Sequence, residues 1–283
     1  MSSNVQAVGT KESVALGVQG LRKSYFVRTA LWRKRSAICA AEDISFELLH
    51  GKTLALVGSS GSGKSTVARC VARLEKPDAG EIWIGDANIA GLDPRQLRPF
   101  RSQIQMVFQD PLTAMNSRMS AAQVVEEPWL IQERGTRHER RTQAEELMKE
   151  VGLSSDWLDR RIAEFSGGQR QRIAIARALA LQPKILVLDE ALTGLDLSSQ
   201  AQILELLRKL QTERSLSYLL ISHDLALVAR AADGIAVMAA GRIVEQGTTH
   251  QIISDPKHAE TRALLAAGEG FRRALSKAHG ASA

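Results

Sequence analysis

Gly58-Ser59-Ser60-Gly61-Ser62-Gly63-Lys64-Ser65 is the stretch on which the fold turns. It fits G-x-x-x-x-G-K-[ST] at every specified position. Before it, Thr53 to Val57 is a short apolar run of strand type. After it, Gly63 to about Leu74 reads as a helix, closed by the turn sequence Lys76-Pro77-Asp78-Ala79-Gly80. The glycines let the backbone curl so that its N–H groups face inward around phosphates. The helix that starts there aims the positive end of its dipole at the same anion. Lys64 supplies a point charge to the β- and γ-phosphates, Ser65 an oxygen to Mg2+, and Thr66 follows in the same first turn. A chance glycine-rich loop rarely carries both the strand before and the helix after.

Outward from this loop, the chain alternates strands and helices. Val14, Leu16 and Val18 alternate, as does Ala41 to Leu48 around Ile44, Phe46 and Leu48. Between them, Arg28 to Ser36 reads as a basic inserted loop, and the first dozen residues read as disordered. Glu81–Ile84 and Ile104–Phe108 are further strand patterns, and Met119 to Leu158 is helical and polar. Ile185-Leu186-Val187-Leu188 has the continuous apolar character of a buried parallel strand, and it ends on Asp189-Glu190. An acid at that strand end, beside a phosphate loop, suits the metal's coordination shell; Asp189 fits this role, and Glu190 is placed to polarise an attacking water. A helix over about Ser198–Glu213, a strand over Ser217–Ile221, a helix, and strands over Gly234–Met238 and Arg242–Glu245 complete the pattern. The alternation predicts an α/β fold: a P-loop NTPase (RecA-like) core with an antiparallel β edge and an inserted α-helical subdomain. The expected division is a nucleotide-binding domain over 14–250, with its core at about 14–108 and 177–250. The helical subdomain falls at about 109–176, and a helical extension covers 251–283.

Composition removes several classes. The chain has 283 residues, 44% hydrophobic and 24% charged, ordinary values for a globular domain. No stretch approaches the roughly 18 consecutive apolar residues of a membrane span. The N-terminus lacks the apolar region of a signal peptide. Cys39 and Cys70 give neither a disulfide framework nor metal-ligand spacing. The net charge of +6 is spread out, and the clusters Arg33-Lys34-Arg35 and Arg137-His138-Glu139-Arg140-Arg141 read as solvated faces. Aromatic residues are too scattered for base-stacking platforms, so no nucleic-acid partner is expected.

Phe165-Ser166-Gly167-Gly168-Gln169 narrows the class. A serine followed by paired glycines at a helix start is a second anion-binding N-terminus in the same chain. Phosphate-loop ATPases in general lack it. With the phosphate loop and the acidic strand end, this run resembles the nucleotide-binding domains of ABC proteins over nearly the whole chain. The resemblance implies that ATP and Mg2+ bind between two such domains packed head to tail. Ser166 and Gly168, with Gln169 beside them, would contact the γ-phosphate held by the partner's loop. Gln109 matches the segment that touches Mg2+ and reports to membrane subunits, Asp196 the loop at the dimer seam, and His223 the histidine that bonds the γ-phosphate. Tyr25 sits where the family places an aromatic ring against adenine. Judged singly, His223 and Tyr25 read as surface or packing residues; their order in the set carries the inference. One departure is Ala191, where many relatives have proline; no chemical group is lost.

Within the family the chain is similar to the second ATPase of oligopeptide/dipeptide importers. The carriers are Leu21 to Phe26 with the inserted Leu31-Trp32-Arg33-Lys34-Arg35, the long stretch Gln109 to Met119, Phe165 before the serine, and Val244-Glu245-Gln246-Gly247 with the tail His258 to Leu265. Ala259-Glu260 replaces the usual proline and aromatic after the histidine, which weakens the peptide assignment more than the transporter assignment. The resemblance implies two permease subunits, a second homologous ATPase subunit and an extracytoplasmic solute-binding protein as partners. It also implies peripheral attachment at the cytoplasmic face of the inner membrane. An exporter ATPase shares every core motif. A non-transport ABC ATPase generally carries two ATPase domains, coiled coils or zinc insertions, which this sequence does not display.

Overall fold

The computed structural model describes residues 13–28 and 35–267. The expected disorder of the first dozen residues, most of the inserted loop and the end of the C-terminal extension lie outside them. In chain order the elements are β1 (Val14–Arg28), β2 (Arg35–Leu49), β3 (Thr53–Gly58), α1 (Lys64–Val71), β4 (Ala79–Ile84), β5 (Ala87–Asn88), α2 (Arg98–Arg101) and β6 (Ile104–Val107). Then follow α3 (Pro111–Ala114), α4 (Ala121–Ile131), α5 (Arg137–Glu150), α6 (Gly167–Leu179), β7 (Ile185–Asp189), α7 (Leu197–Arg214) and β8 (Ser217–Ser222). The chain continues through α8 (Leu225–Ala231), β9 (Gly234–Ala239), β10 (Arg242–Thr248), α9 (Thr249–Ser254) and α10 (Ala259–Ala267).

A six-stranded sheet has the order β10-β9-β3-β8-β7-β6, parallel except for β10 against β9. A separate four-stranded antiparallel sheet has the order β2-β1-β4-β5. The period-2 alternation of strand side chains sorts the core into two layers. Leu54, Leu56, Val187, Leu219 and Ile221 point to the face covered by α1 and the antiparallel sheet. Ala55, Val57, Leu186, Leu188 and Leu220 point to the other face, covered by helices from α4 to α8. Serine or threonine caps begin four helices with reciprocal capping boxes: Ser120/Gln123, Thr136/Glu139, Ser166/Gln169 and Thr248/Gln251.

Several boundaries differ from the sequence expectation: β4 begins at Ala79, inside the expected turn, β10 runs on to Thr248, and the helical stretch Met119 to Leu158 breaks between α4 and α5. Two further differences have a visible cause. β1 and β2 run on as 15-residue strands, and Arg28 pairs with Arg35 and Val27 with Ser36, so the ends of the expected loop are strand. The helix after the phosphate loop ends at Val71, short of Leu74. Arg73 turns left-handed at φ 53°, and the Leu74 N–H bonds back to the Arg69 carbonyl at 2.9 Å. The Arg73 guanidinium is held by the Ile89 and Leu92 carbonyls, both at 2.8 Å, which fixes the reversal.

Candidate functional site

The sheet order makes the site. β3, β8, β7 and β6 are consecutive and parallel, so their C-terminal ends meet along one edge. That edge is where open α/β sheets bind ligands. The phosphate loop leaves β3, His223 follows β8, Asp189 and Glu190 end β7, and Gln109 follows β6.

The loop over 58–63 is packed too closely for side chains at two positions. A Cβ on Gly58 would lie 2.2 Å from the Met238 carbonyl oxygen. At Gly63, φ is +103° and a Cβ would lie 1.9 Å from the Ala40 carbonyl oxygen. Gly63 is also the N-cap of α1 and offers no capping side chain. The first N–H groups of α1 therefore stay available for an anion. Ser59, Ser60 and Gly61 form the exposed lip of the loop, and Ser62 is buried beneath it. Lys64 is only 5% exposed. Its Nζ donates to the Gly58 and Ser59 carbonyls, both at 2.8 Å, and lies 3.4 Å from Ser62 Oγ. Burial lowers its pKa, while Glu190 and Asp189 oppose the drop. The ammonium is thus held inside the loop by the loop's own carbonyls.

Ser65 Oγ donates to Asp189 Oδ1 at 2.8 Å, across 124 residues of sequence. Asp189 is buried, and burial raises its pKa; the Ser65 hydroxyl, Arg69 and Lys64 pull the other way. Glu190 adopts a left-handed backbone at φ 48°, with its N–H bonded to the Ile221 carbonyl at 3.0 Å. Its carboxylate lies 3.5 Å from His223 Nδ1. Lys64, Ser65, Asp189, Glu190 and His223 therefore form one group. Tyr25 on β1 lies against α1 rather than against these groups: its hydroxyl bonds Glu75, and Thr66 in the first turn of α1 also bears on it. Burial and Glu75 raise the Tyr25 pKa, and Thr66 acts against them.

The remaining sequence candidates form a second group. Ser166 caps α6, accepting from the Gln169 N–H at 3.4 Å, and Gln169 Oε1 accepts from the Ser166 N–H at 3.0 Å. Asp196 caps α7, accepting from the Ser199 N–H at 2.9 Å and the Ser199 hydroxyl at 2.6 Å. These bonds hold its carboxyl below the usual range. A Cβ on Gly168 would lie 3.0 Å from Ser199 Oγ, so Gly168 lets the two helix starts touch. Gln109 is exposed and lines the cleft between Gly167 and Leu195. Among the described residues it makes no hydrogen bond to Ser65 or Asp189. Sequence reasoning missed Glu75 and Arg69; Glu75 sits just before a turn sequence and carries no motif signal.

The chain resembles known proteins over most of its length. The family described as ABC transporter matches residues 41–193. The chain is 44% identical over 252 residues to the dipeptide transport ATP-binding protein of Haemophilus influenzae, covering 89% of this chain and 77% of that protein. The di/tripeptide transport ATP-binding protein of Pseudomonas aeruginosa is 43% identical over 252 residues, covering 89% and 78%. Among solved structures, the dimeric ATP-binding cassette MJ0796 in a post-hydrolysis state with ADP and Pi aligns with TM-score 0.73 and 29% identity, covering 83% of this chain and 98% of that one. The protein cbiO1 of Clostridium perfringens, part of the transporter complex cbiONQ, aligns with TM-score 0.73 and 27% identity, covering 86% and 92%. With a family match over more than half its length, a phosphate loop opposed by a buried aspartate, and a second, serine-capped glycine-rich helix start apart from the first, the chain belongs to the ABC transporter family.

Proposed function

We propose that this chain is the ATP-hydrolysing subunit of an ABC importer for peptides or similar small solutes. The observation that carries the ATPase reading is the convergence of Lys64, Ser65, Asp189, Glu190 and His223 at one sheet edge. The peptide reading rests on relatives named for peptide transport or import, 42–44% identical over 87–90% of the chain. Lys64 binds the β- and γ-phosphates, Tyr25 takes the adenine, Glu190 orients the attacking water and His223 bonds the γ-phosphate. The site is incomplete in one copy: Ser166, Gly168 and Gln169 sit on a separate helix start. A second ATPase subunit packed head to tail would bring its own counterparts of these three residues to this phosphate loop, with Asp196 at the seam. The proposed division keeps the core at 14–108 and 177–250 and the helical subdomain at 109–176. α6 crosses that boundary and so ties the two parts together.

Mg2+ accompanies ATP in this reading. Ser65 Oγ, Asp189 and Gln109 are oxygen donors, which suits a hard cation. Among the described residues no cluster of three or more acidic, histidine or cysteine side chains forms an all-protein metal cage. That fits an ion held partly by the nucleotide's own phosphates. When bound, the ion neutralises charge on the phosphate oxygens. The raised pKa of Asp189 has a stability consequence. The folded carboxyl keeps its proton to higher pH than an unfolded one, so its ionised form at neutral pH weighs against the fold. Asp189→Asn is therefore expected to raise the melting temperature of the nucleotide-free chain at pH 7, and not at pH 3, while lowering Mg2+-dependent turnover. Calorimetric melting at the two pH values and an ATPase assay check both signs.

No helix of the described residues is long and apolar enough to cross a membrane. In this reading permeases form the transport path. The full system then comprises two permeases, this chain, a second non-identical ATPase and an extracytoplasmic solute-binding protein, with this chain on the cytoplasmic face. Deleting the chain's gene should abolish binding-protein-dependent dipeptide uptake in its host. Retained uptake with lost efflux would overturn import. A fully coupled transporter reconstituted with two copies of this chain as its sole ATPase would overturn the heterodimer.

A further inference from the structure

Tyr25 lies on β1, far in sequence from α1, yet several contacts fasten it to the segment that leaves α1. Its hydroxyl donates to a Glu75 carboxylate oxygen. The Ser24 N–H donates to Asp78 Oδ2 at 2.7 Å. Lys23 Nζ donates to Asp78 Oδ1 at 3.0 Å and to the Lys76 carbonyl at 2.9 Å. The same ammonium stands 5.7 Å from the centroid of the Tyr25 ring. Glu75 is anchored in turn: its Oε1 lies 3.6 Å from Arg69 Nη1 on α1.

Each contact removes a different freedom. Asp78 fixes the backbone just before the ring, and Glu75 fixes the ring's far end. Water would satisfy a half-buried phenol, so the carboxylate does more than fill a donor. A charge-assisted bond is shorter and stronger than a neutral one, and ties the ring's hydroxyl end to one place. Arg69 and Glu75 refer that place to α1, whose N-terminus carries Lys64 and Ser65. One helix then sets both the phosphate loop and the aromatic ring.

We propose that Glu75 is a positioning residue for base binding: by accepting the Tyr25 hydroxyl bond it pre-sets the ring against which the nucleotide's base stacks. This rests on the nucleotide-binding reading above. Stacking onto a ring already ordered avoids the cost of ordering it on binding. A purely structural staple would instead tie the β1–β2 ribbon to the core and leave base recognition untouched.

The test is calorimetric titration of the full chain with Mg-ATP and, separately, with inorganic tripolyphosphate, which has the phosphates and no base. Glu75→Ala is expected to weaken ATP about three- to tenfold, the range of one ordinary hydrogen bond, because the bond acts on ATP only through the ring, and to leave tripolyphosphate affinity unchanged. Tyr25→Phe, which keeps the ring and the fold, should do the same, and the double variant should lose no more than either alone. Glu75→Gln retains an acceptor oxygen without the charge and should recover only part of the affinity. In the assembled transporter Glu75→Ala should raise KM for ATP at unchanged kcat. Equal loss for both ligands, no loss for ATP, or additive losses would overturn the proposal. Tyr25→Ala separates the two layers, since losing a stacking ring should weaken ATP about tenfold or more. If Tyr25→Ala weakens ATP and Glu75→Ala does not, Glu75 alone is wrong. If Tyr25→Ala has no effect, the base platform itself is wrong and the proposal falls with it.

Discussion

Lys64→Ala is expected to lower ATP affinity by at least about 10²-fold, to the edge of detection by calorimetry. Hydrogen bonds to charged groups contribute about 1.5–3 kcal/mol each. An ammonium serving two phosphates therefore carries about 3–6 kcal/mol, and every 1.4 kcal/mol is about tenfold. A second loss adds to this. Without the ammonium, the Gly58 and Ser59 carbonyls that it now binds are left facing an incoming polyanion. The fold should survive, because burial already disfavours the charge at this position. Removing it relieves a desolvation cost as well as breaking the two carbonyl bonds. A melting temperature within a few degrees of the parent chain, with ATP binding gone, is the expected pair of results. Unchanged ATP affinity would remove the loop from the phosphate-binding role. Lys64→Met, closer in shape, guards against a result caused by an emptied cavity.

How much of this was legible depends on how local each signal is. The phosphate loop is local: strand, glycines, lysine and helix lie within some twenty residues, and the structure keeps that order. The strand ending on Asp189 is local too, because a parallel strand buried on both faces has a continuous apolar sequence. The hydrogen bond between Ser65 and Asp189 is not local; the motifs assigned each a metal role and not a bond to the other. The long β1–β2 ribbon was only half visible. In β1 the phase breaks between Val18 and Leu21, where Gly20 is left-handed; in β2 it breaks at Asp43, which has φ 57°. A bulge shifts the side chains by one face, so strict alternation stops matching although the strand continues. The Tyr25–Glu75 bond was invisible for a different reason. It needs the antiparallel sheet to be laid across the end of α1, a placement that no periodicity encodes. Ser166 shows the reverse limit. Its sequence context served both a helix cap and a γ-phosphate ligand, and within one chain the structure displays the cap.

Glu190→Gln should separate chemistry from binding. Phosphoryl transfer asks little covalent help of protein groups, so catalysis rests on positioning and charge stabilisation. A positioned base is worth about 10²–10⁴ in rate, or roughly 3–5 kcal/mol at about 1.4 kcal/mol per decade. The geometry divides labour between the adjacent acids. Asp189 has one oxygen committed to the Ser65 hydroxyl, on the side of the phosphate loop's own oxygen donor. Glu190 is turned by its left-handed backbone toward His223, with its carboxylate 3.5 Å from Nδ1. Gln keeps the size and one acceptor oxygen but loses the charge and basicity. The variant should bind ATP with near-normal affinity and turn over about 10²-fold more slowly or worse. Because unhydrolysed ATP holds the two ATPases together in this reading, the variant should also accumulate as an ATP-bound dimer with its partner subunit. Single-turnover hydrolysis in the assembled complex, confined to the site built on this chain's phosphate loop, decides the matter. Near-normal hydrolysis there would exclude Glu190 as the base and return the role to Asp189 or to the partner. Slow hydrolysis with ATP affinity also lost would mean that Glu190 acts in binding, and the division of labour between the two acids would fall.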